Sequence, residues 1–79
     1  MNVYYKFRVS HFKLNDELKT IEQVNDASDS KSVSNISNPI TFDSMMTITN
    51  TDNWEVITEE AYSAKRAEVL AILNALYLP

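Results

Sequence analysis

The stretch TEEAYSAKRAEVLAILNALYL, residues 58–78, decides the fold class because it predicts a single long helix. Thr58 is a good N-cap residue, and Glu59 and Glu60 place negative charge in the first turn, where the helix dipole favours it. No proline or glycine interrupts the chain before Pro79. At about 100° per residue, the large apolar side chains fall in one wide arc that suits packing on a sheet. They are Tyr62, Val69, Leu70, Ile72, Leu73, Leu76 and Tyr77.

Residues 3–11, VYYKFRVSH, predict a strand because apolar and polar side chains alternate and aromatic and β-branched types dominate. We expect the side chains of one parity to face the core: Val3, Tyr5, Phe7, Val9 and His11. The other parity then forms an outer face that carries Tyr4, Lys6 and Arg8.

The middle of the chain predicts little regular structure. Asp16 is placed to cap a short helix that carries Leu18, Ile21 and Val24 at three-residue spacing on one side. A hairpin return strand is the alternative, which the neighbouring polar residues fit less well. Residues 25–38, NDASDSKSVSNISN, predict a long mobile loop, because ten of these fourteen are Ser, Asn or Asp, whose side chains compete for backbone hydrogen bonds.

The segment before the long helix completes the expected domain. Residues 40–49 match a strand and a helix about equally well, and their threonines favour the strand. Residues 50–53 predict a turn, and residues 54–57 predict a short strand. The sequence therefore predicts one α+β domain over residues 1–79, with a small, mostly antiparallel sheet packed against one long C-terminal helix.

Composition excludes several kinds of chemistry. The chain contains no glycine for a glycine-rich phosphate cradle, and no cysteine for a disulfide framework or a thiolate zinc site. The only histidine, His11, lies on the predicted inward parity, where a structural role is favoured over proton transfer. Glu59 and Glu60 are adjacent on the predicted helix, so their carboxylates do not converge on one atom. We therefore expect no enzyme activity, no catalytic residue, no metal site and no cofactor.

The charge distribution disfavours nucleic acid as a partner. Residues 1–14 contain three bases and no acid, whereas residues 15–79 contain eleven acids and four bases, for a net charge of −4. Tyr4, Lys6 and Arg8 on one strand face suit base stacking and phosphate contact, but the rest of the chain repels phosphate. No apolar stretch is long enough to cross a bilayer, and the first residues lack the pattern of a secretory signal. We therefore expect a cytoplasmic protein without a membrane or nucleic-acid partner.

Protein recognition is the function class that remains. The apolar arc of the predicted helix is wider than a small sheet covers, and we expect Leu70, Tyr77 and Leu78 at its uncovered margin. Glu59 and Glu60 add negative charge at the start of the same helix. The remaining surface carries a row of alanines, which is either a second candidate surface or a solvated face of good helix formers. These are Ala61, Ala64, Ala67, Ala71 and Ala75.

Residues 54–62, WEVITEEAY, resemble the C-terminal part of many small uncharacterised phage and mobile-element proteins, which also run from a tryptophan-bearing strand into a capped helix with an early tyrosine. The resemblance implies no catalytic residue. It implies two function classes, inhibitors that bind a host defence protein and accessory components of virions.

The residues and the resemblance together predict a non-enzymatic protein-binding module, a small acidic phage-type inhibitor that occludes the surface of a host protein. The alternative is a virion or assembly subunit that oligomerises through its C-terminal helix. In both cases the expected partner is another protein or a second copy of the chain.

Overall fold

One antiparallel sheet and two helices make up residues 1–51 and 53–77, the part of the chain that the computed structural model describes. The strands are β1 (Asn2–Phe7), β2 (Ser10–Asn15), β3 (Thr20–Ala27), β4 (Ser30–Ser37) and β5 (Glu55–Val56), and the helices are α1 (Pro39–Ile48) and α2 (Glu59–Tyr77). The five strands lie in the order β4-β3-β2-β1-β5. This architecture confirms the predicted α+β class and the long C-terminal helix, and it adds a second helix.

The first strand is shorter than predicted because the chain reverses at Arg8 and Val9. Arg8 adopts the left-handed conformation, with φ 56°, without the glycine that commonly occupies it. Val9, predicted to face the core, is 49% exposed at this turn. His11 is buried as expected, but on the other face of the sheet from Tyr5. Tyr5 pairs with Phe12 and shares its face, and His11, which precedes Phe12, points to the opposite face.

The short helix predicted to carry Leu18, Ile21 and Val24 is wrong, and the hairpin return strand forms instead as β3. The turn before it is held by Asn15, whose Oδ1 accepts the N–H of Leu18 at 2.9 Å. Leu18 is 71% exposed in that turn. Ile21 and Val24 have opposite parity in the strand, so the three-residue spacing that resembles a helix supplies one apolar side chain to each face of the sheet.

The predicted mobile loop over residues 25–38 is also wrong, because β3 continues to Ala27 and β4 pairs with it along its whole length. Each apolar residue of β4 lies opposite an apolar residue of β3: Val33 opposite Val24, and Ile36 opposite Ile21. Asn25 supports the reversal between the strands, since its Nδ2 donates to the carbonyl oxygen of Ser30 at 2.9 Å. The polar side chains therefore stabilise this hairpin.

Residues 40–49, which match a strand and a helix, belong to helix α1 up to Ile48, so the preference for a strand is wrong. Asn38 is the N-cap, and its Oδ1 accepts the N–H of Ile40 at 2.9 Å. Pro39 occupies the first helical position, where its missing N–H costs nothing. Phe42 is 2% exposed and anchors the helix in the core.

Helix α2 begins and packs as the sequence predicts over the residues that the structure describes. Thr58 is its N-cap, and Thr58 Oγ1 accepts the N–H of Ala61 at 3.1 Å. Tyr62 and Val69 of the predicted apolar arc are buried, whereas Leu76 near the end of the helix is 69% exposed. The arc is therefore only partly covered by the sheet.

The two helices pack on opposite faces of the sheet. Strand pairing places Ile21 on one face, where it packs with Phe42 of α1, and Val24 on the other, where it packs with Tyr62 and Val69 of α2. The buried residues of the α1 face are Phe12, Leu14, Ile21 and Phe42. The apolar part of the sheet is thus covered on both sides, which gives three layers where the sequence predicted two.

Candidate functional site

The first half of α2 is fixed to the sheet by Glu22 of β3. Glu22 Oε1 accepts a hydrogen bond from the Tyr62 hydroxyl at 2.5 Å and from Arg66 Nε at 2.8 Å. Burial disfavours the charged form of Glu22, but these two hydrogen bonds outweigh burial and lower its pKa. Burial and the contact with Glu22 raise the pKa of Tyr62, so its hydroxyl stays a donor.

A second polar cluster, at Asp26 near the end of β3, also binds the first half of α2, through Lys65. The Asp26 carboxylate contacts Lys31 Nζ at 2.6 Å and Lys65 Nζ at 2.9 Å. These two hydrogen bonds lower the pKa of Asp26 to about 2. Lys65 also reaches Glu68 at 3.2 Å, and the hydrogen bonds to Asp26 and Glu68 raise the pKa of Lys65. Of these three ion pairs, Lys65–Asp26 joins α2 to the sheet, Lys31–Asp26 lies within the β3–β4 hairpin, and Lys65–Glu68 lies within α2.

His11 lies under α2 and is only 7% exposed. Its Nδ1 is buried without a hydrogen-bond partner among the described residues. Burial first, and then the charges of Lys6 and Lys65, lower the pKa of His11. The imidazole is consequently neutral near pH 7.

The face of β1 that suits nucleic acid in the sequence does not form an open surface. Tyr4 packs against Tyr62 with the ring centroids 5.2 Å apart, so its ring is covered by α2. Arg8 has left the strand and lies over the Phe7 ring at 5.3 Å. Of the three residues expected on this face, only Lys6 stays exposed on the strand. The predicted outer face is therefore wrong in its extent, because α2 covers Tyr4 and Arg8 lies in the turn, and only Lys6 remains.

Most cations of the chain are neutralised within the fold. Lys31, Lys65 and Arg66 bind Asp26 and Glu22, as described above. Lys19 Nζ lies 4.0 Å from an Asp43 oxygen, and the N-terminal ammonium lies 2.9 Å from Asp16 and 3.1 Å from Glu17. Among the acids that the structure describes, those in no ion pair are Asp29, Glu55, Glu59 and Glu60. The bases in no ion pair with the described residues are Lys6, Arg8 and Lys13.

An exposed acidic and apolar surface lies where β5 leads into α2, and we call it the acidic joint: Glu55, Val56, Glu59 and Glu60. All four side chains are exposed, and Val56 is 71% exposed. None of the three carboxylates is in an ion pair with the described residues. The predicted partner residues Glu59 and Glu60 therefore follow closely in sequence an exposed apolar residue, Val56, and a third exposed acid, Glu55, whose side chains point to opposite faces of β5.

The backbone of the acidic joint is held in place on both sides. Ile57 donates its N–H to the carbonyl oxygen of Tyr4 at 3.0 Å, and Tyr62 donates its N–H to the carbonyl oxygen of Thr58 at 3.1 Å. Trp54, directly before β5, stacks on Phe7 at 4.9 Å. The sequence pattern groups Val56 with Trp54 on one side of a strand, which is why it does not identify Val56 as exposed. In the structure, Val56 belongs to the two-residue strand β5 at the edge of the sheet, and its side chain remains exposed there.

The other predicted partner residues lie toward the end of α2. Leu70 is half-buried, and the side chain of Tyr77 and the residue Leu78 lie outside the described residues. The alanine row of α2 is exposed throughout. An open groove of about 390 Å³ separates the end of α2 from the β3–β4 turn. Its lining residues are Ser28, Asp29, Ser30, Lys31, Ile72, Leu73 and Leu76.

Residues 1–51 and 53–77 contain neither a grouped set of metal ligands nor a helix that could span a membrane. In these ranges no three His, Cys, Asp or Glu side chains are grouped as metal ligands would be. Neither helix of the same ranges has the length and hydropathy needed to cross a bilayer.

Comparisons with protein-family models, with curated proteins and with solved structures returned no match. The acidic joint is a candidate site because of its charge, its exposure and its hydrogen-bonded backbone.

Proposed function

We propose that this chain is a non-enzymatic module that binds another protein through the acidic joint. The observation that carries the proposal is the exposure of Glu55, Val56, Glu59 and Glu60 within one short segment whose backbone is hydrogen-bonded. Protein interfaces combine apolar anchor residues with polar surroundings, and this segment supplies both residue types. Because the backbone is already hydrogen-bonded, little ordering entropy is lost on binding.

The charge of the surface indicates the kind of partner. The net charge is −4, and three of the four described acids in no ion pair with the described residues lie in the acidic joint, so this surface attracts a basic partner. Such complementarity speeds encounter and selects the partner, while an apolar contact supplies affinity. The partner surface we propose is a basic cleft or patch with a small apolar hollow that accepts Val56.

The biological class follows from the resemblance of residues 54–62 to phage and mobile-element proteins, and the acidic joint lies within that stretch. We propose a small acidic inhibitor that acts in the cytoplasm of a host cell and occludes the basic surface of a host protein. Occlusion requires contact only, which agrees with the burial of His11 under α2.

A second candidate function is an assembly subunit that associates through α2. The observation that favours it is Leu76, which is 69% exposed on the helix next to the groove. Replacing Leu76 with Asp separates the two candidates, because it weakens self-association and leaves binding at the acidic joint unchanged.

The experiment that tests the first proposal is quantitative capture of partners from a host extract, followed by affinity measurement with the purified partner. Val56→Asp should weaken binding by at least about tenfold, the loss typical of an anchor residue. Leu18→Asp is the matched control, since Leu18 is also 71% exposed. Equal capture by wild type and Val56→Asp would contradict the proposal.

A charge test complements the apolar one. Glu59→Lys with Glu60→Lys should slow association and remove its dependence on salt concentration. Asp29→Lys with Asp43→Lys changes the net charge by the same amount elsewhere on the surface, and it should leave most of the association rate intact. If both double variants have the same effect, the net charge matters and the acidic joint does not.

A further inference from the structure

The outer edge of β4 is long and almost uncharged. β4 spans eight residues, SKSVSNIS, and it pairs only with β3 among the described strands. Its single charged residue, Lys31, is bound to Asp26 at 2.6 Å. Proteins usually protect an edge strand with charges, proline or a covering element, because its unpaired N–H and C=O groups accept a further strand. Within the described residues, β4 has none of these protections along its central part.

We infer that β4 pairs antiparallel with β4 of a second copy of this chain and forms a continuous ten-stranded sheet about a two-fold axis. The axis runs perpendicular to the sheet at Ser34, which places Ser34 opposite Ser34 of the second copy. Two identical strands that pair antiparallel are related by a two-fold axis of this kind. The hydrogen-bonding edge of one strand is therefore complementary to the same edge of an identical strand.

A register centred on Ser34 pairs residues 31–37, as many as a register centred on Val33, and it holds the two Lys31 side chains farther apart. Residues at equal distances from Ser34 face each other, so Val33 meets Asn35, Ser32 meets Ile36, and Lys31 meets Ser37. The two Lys31 side chains are then six positions apart along the seam, about 20 Å at the strand rise of about 3.4 Å. Val33 of each copy is the diagonal neighbour of Val33 in the other copy, within reach of a side-chain contact.

The second edge of the sheet explains why the occupant is β4 of another copy and why the assembly closes. β5 contains two residues, Glu55 and Val56, so it offers a full-length β4 almost no ladder. Pairing of β5 with itself would also bring two Glu55 side chains together. Head-to-tail growth through β4 and β5 is therefore disfavoured, and a closed dimer uses the one long free edge that each copy has in the described part of the sheet.

The position of α2 agrees with this arrangement. α2 packs over β4, β3 and β2, and a two-fold axis perpendicular to the sheet keeps both α2 helices on the same face. Leu70 lies one helical turn after Arg66, which binds Glu22 of β3, and it is half-buried. Pairing at β4 brings the two α2 helices toward each other and covers part of the apolar arc that a single sheet leaves exposed.

The test uses the axis residue. In wild type, sedimentation equilibrium at tens to hundreds of micromolar should show a dimer of twice the 9.1 kDa chain mass. Ser34→Lys and Ser34→Glu each place a charge opposite itself, so each should raise the dissociation constant at least about fivefold. A mixture of the two variants places a lysine opposite a glutamate at the axis and should restore dimer formation.

The control is Ser44→Lys, an exposed position on α1, which should dimerise as wild type does. Circular dichroism of all variants reports whether the fold is retained, because Ser34 is exposed and a charge there leaves the core intact. A wild-type monomer at every concentration would overturn the inference and leave the β4 edge to a strand of a different protein. An open-ended polymer, or variants that dimerise alone as well as in mixture, would overturn it too.

Discussion

The Tyr62 hydroxyl donates a hydrogen bond of 2.5 Å to Oε1 of Glu22, and this contact joins the first turns of α2 to the middle layer of the fold across 40 positions of sequence. Glu22 also accepts a hydrogen bond from Arg66, but its side chain is only 14% exposed. Because little water reaches the carboxylate, the donor lost with the Tyr62 hydroxyl would not be replaced. Helix α2 is therefore attached to the sheet both by the Tyr62–Glu22 hydrogen bond and by the apolar packing of Tyr62 with Val24.

Tyr62→Phe keeps the ring and removes only the hydroxyl. We expect a loss of about 1–3 kcal/mol in the free energy of unfolding, because a shielded carboxylate loses a donor. Urea denaturation followed by circular dichroism measures it. Tyr4→Phe is the matched control: the Tyr4 hydroxyl has no hydrogen bond within the described residues, and the change should be within about 0.5 kcal/mol.

Acid should destabilise the fold through Asp26. Its pKa is about 2 in the folded chain and ordinarily 3.8, so the unfolded chain takes up the proton first as the pH falls. The stabilisation is therefore complete above the ordinary value and is lost as the pH falls toward 2. Unfolding midpoints measured from about pH 6 to about pH 2 should decline less steeply in Asp26→Asn than in wild type. An unchanged slope in that variant would show that other carboxylates cause the decline.

His11 provides a separate pH signal because it is the only histidine in the chain. Burial lowers its pKa below the ordinary 6.5, so below that pH the unfolded chain is protonated while the folded chain is not. Stability should accordingly decrease as the pH falls from 6.5 to the folded pKa. An NMR titration of the single imidazole should give a midpoint below 6.5, and a midpoint at or above 6.5 would contradict the burial.

Phe42 should be essential for the fold, since it is the buried anchor of α1. Phe42→Ala should cost about 3–5 kcal/mol, the usual range for a buried phenylalanine and a large part of the stability of a domain this small. Ile40→Ala is the control, because Ile40 belongs to the same helix and is 78% exposed, and it should cost little. Thermal melts of both variants measure the difference, and comparable melting temperatures would mean that α1 does not contribute to the core.

The sequence predicted the C-terminal helix well and the middle of the chain poorly. Residues 58–77 carry a cap, a dipole-compatible first turn and a continuous apolar arc, which are local signals, and α2 forms accordingly. β3 carries no such signal, because Ile21 and Val24 are buried on different faces and a strand covered on both sides loses its alternation. The edge strand β4 depends on pairing partners distant in sequence for its stability, and local composition does not contain that information.

The same reasoning applies to the candidate site. Glu59 and Glu60 could be identified as exposed acids from their place in the first turn of a helix. Their combination with Val56 could not, because the exposure of Val56 depends on the two-residue length of β5 and on its place beside β1. The β4 edge was hidden by serine and asparagine, residue types that suggest a loop when no partner strand is known.

Helices α1 and α2 pack on opposite faces of the same sheet, and this constrains how the molecule can evolve. Because a helix already packs on each apolar face of the sheet, a new binding partner can contact only the edges of the sheet and the solvent-facing sides of the helices. Selection for a new contact in this protein would then act on short strands, turns and helix starts, where changes leave the interior undisturbed.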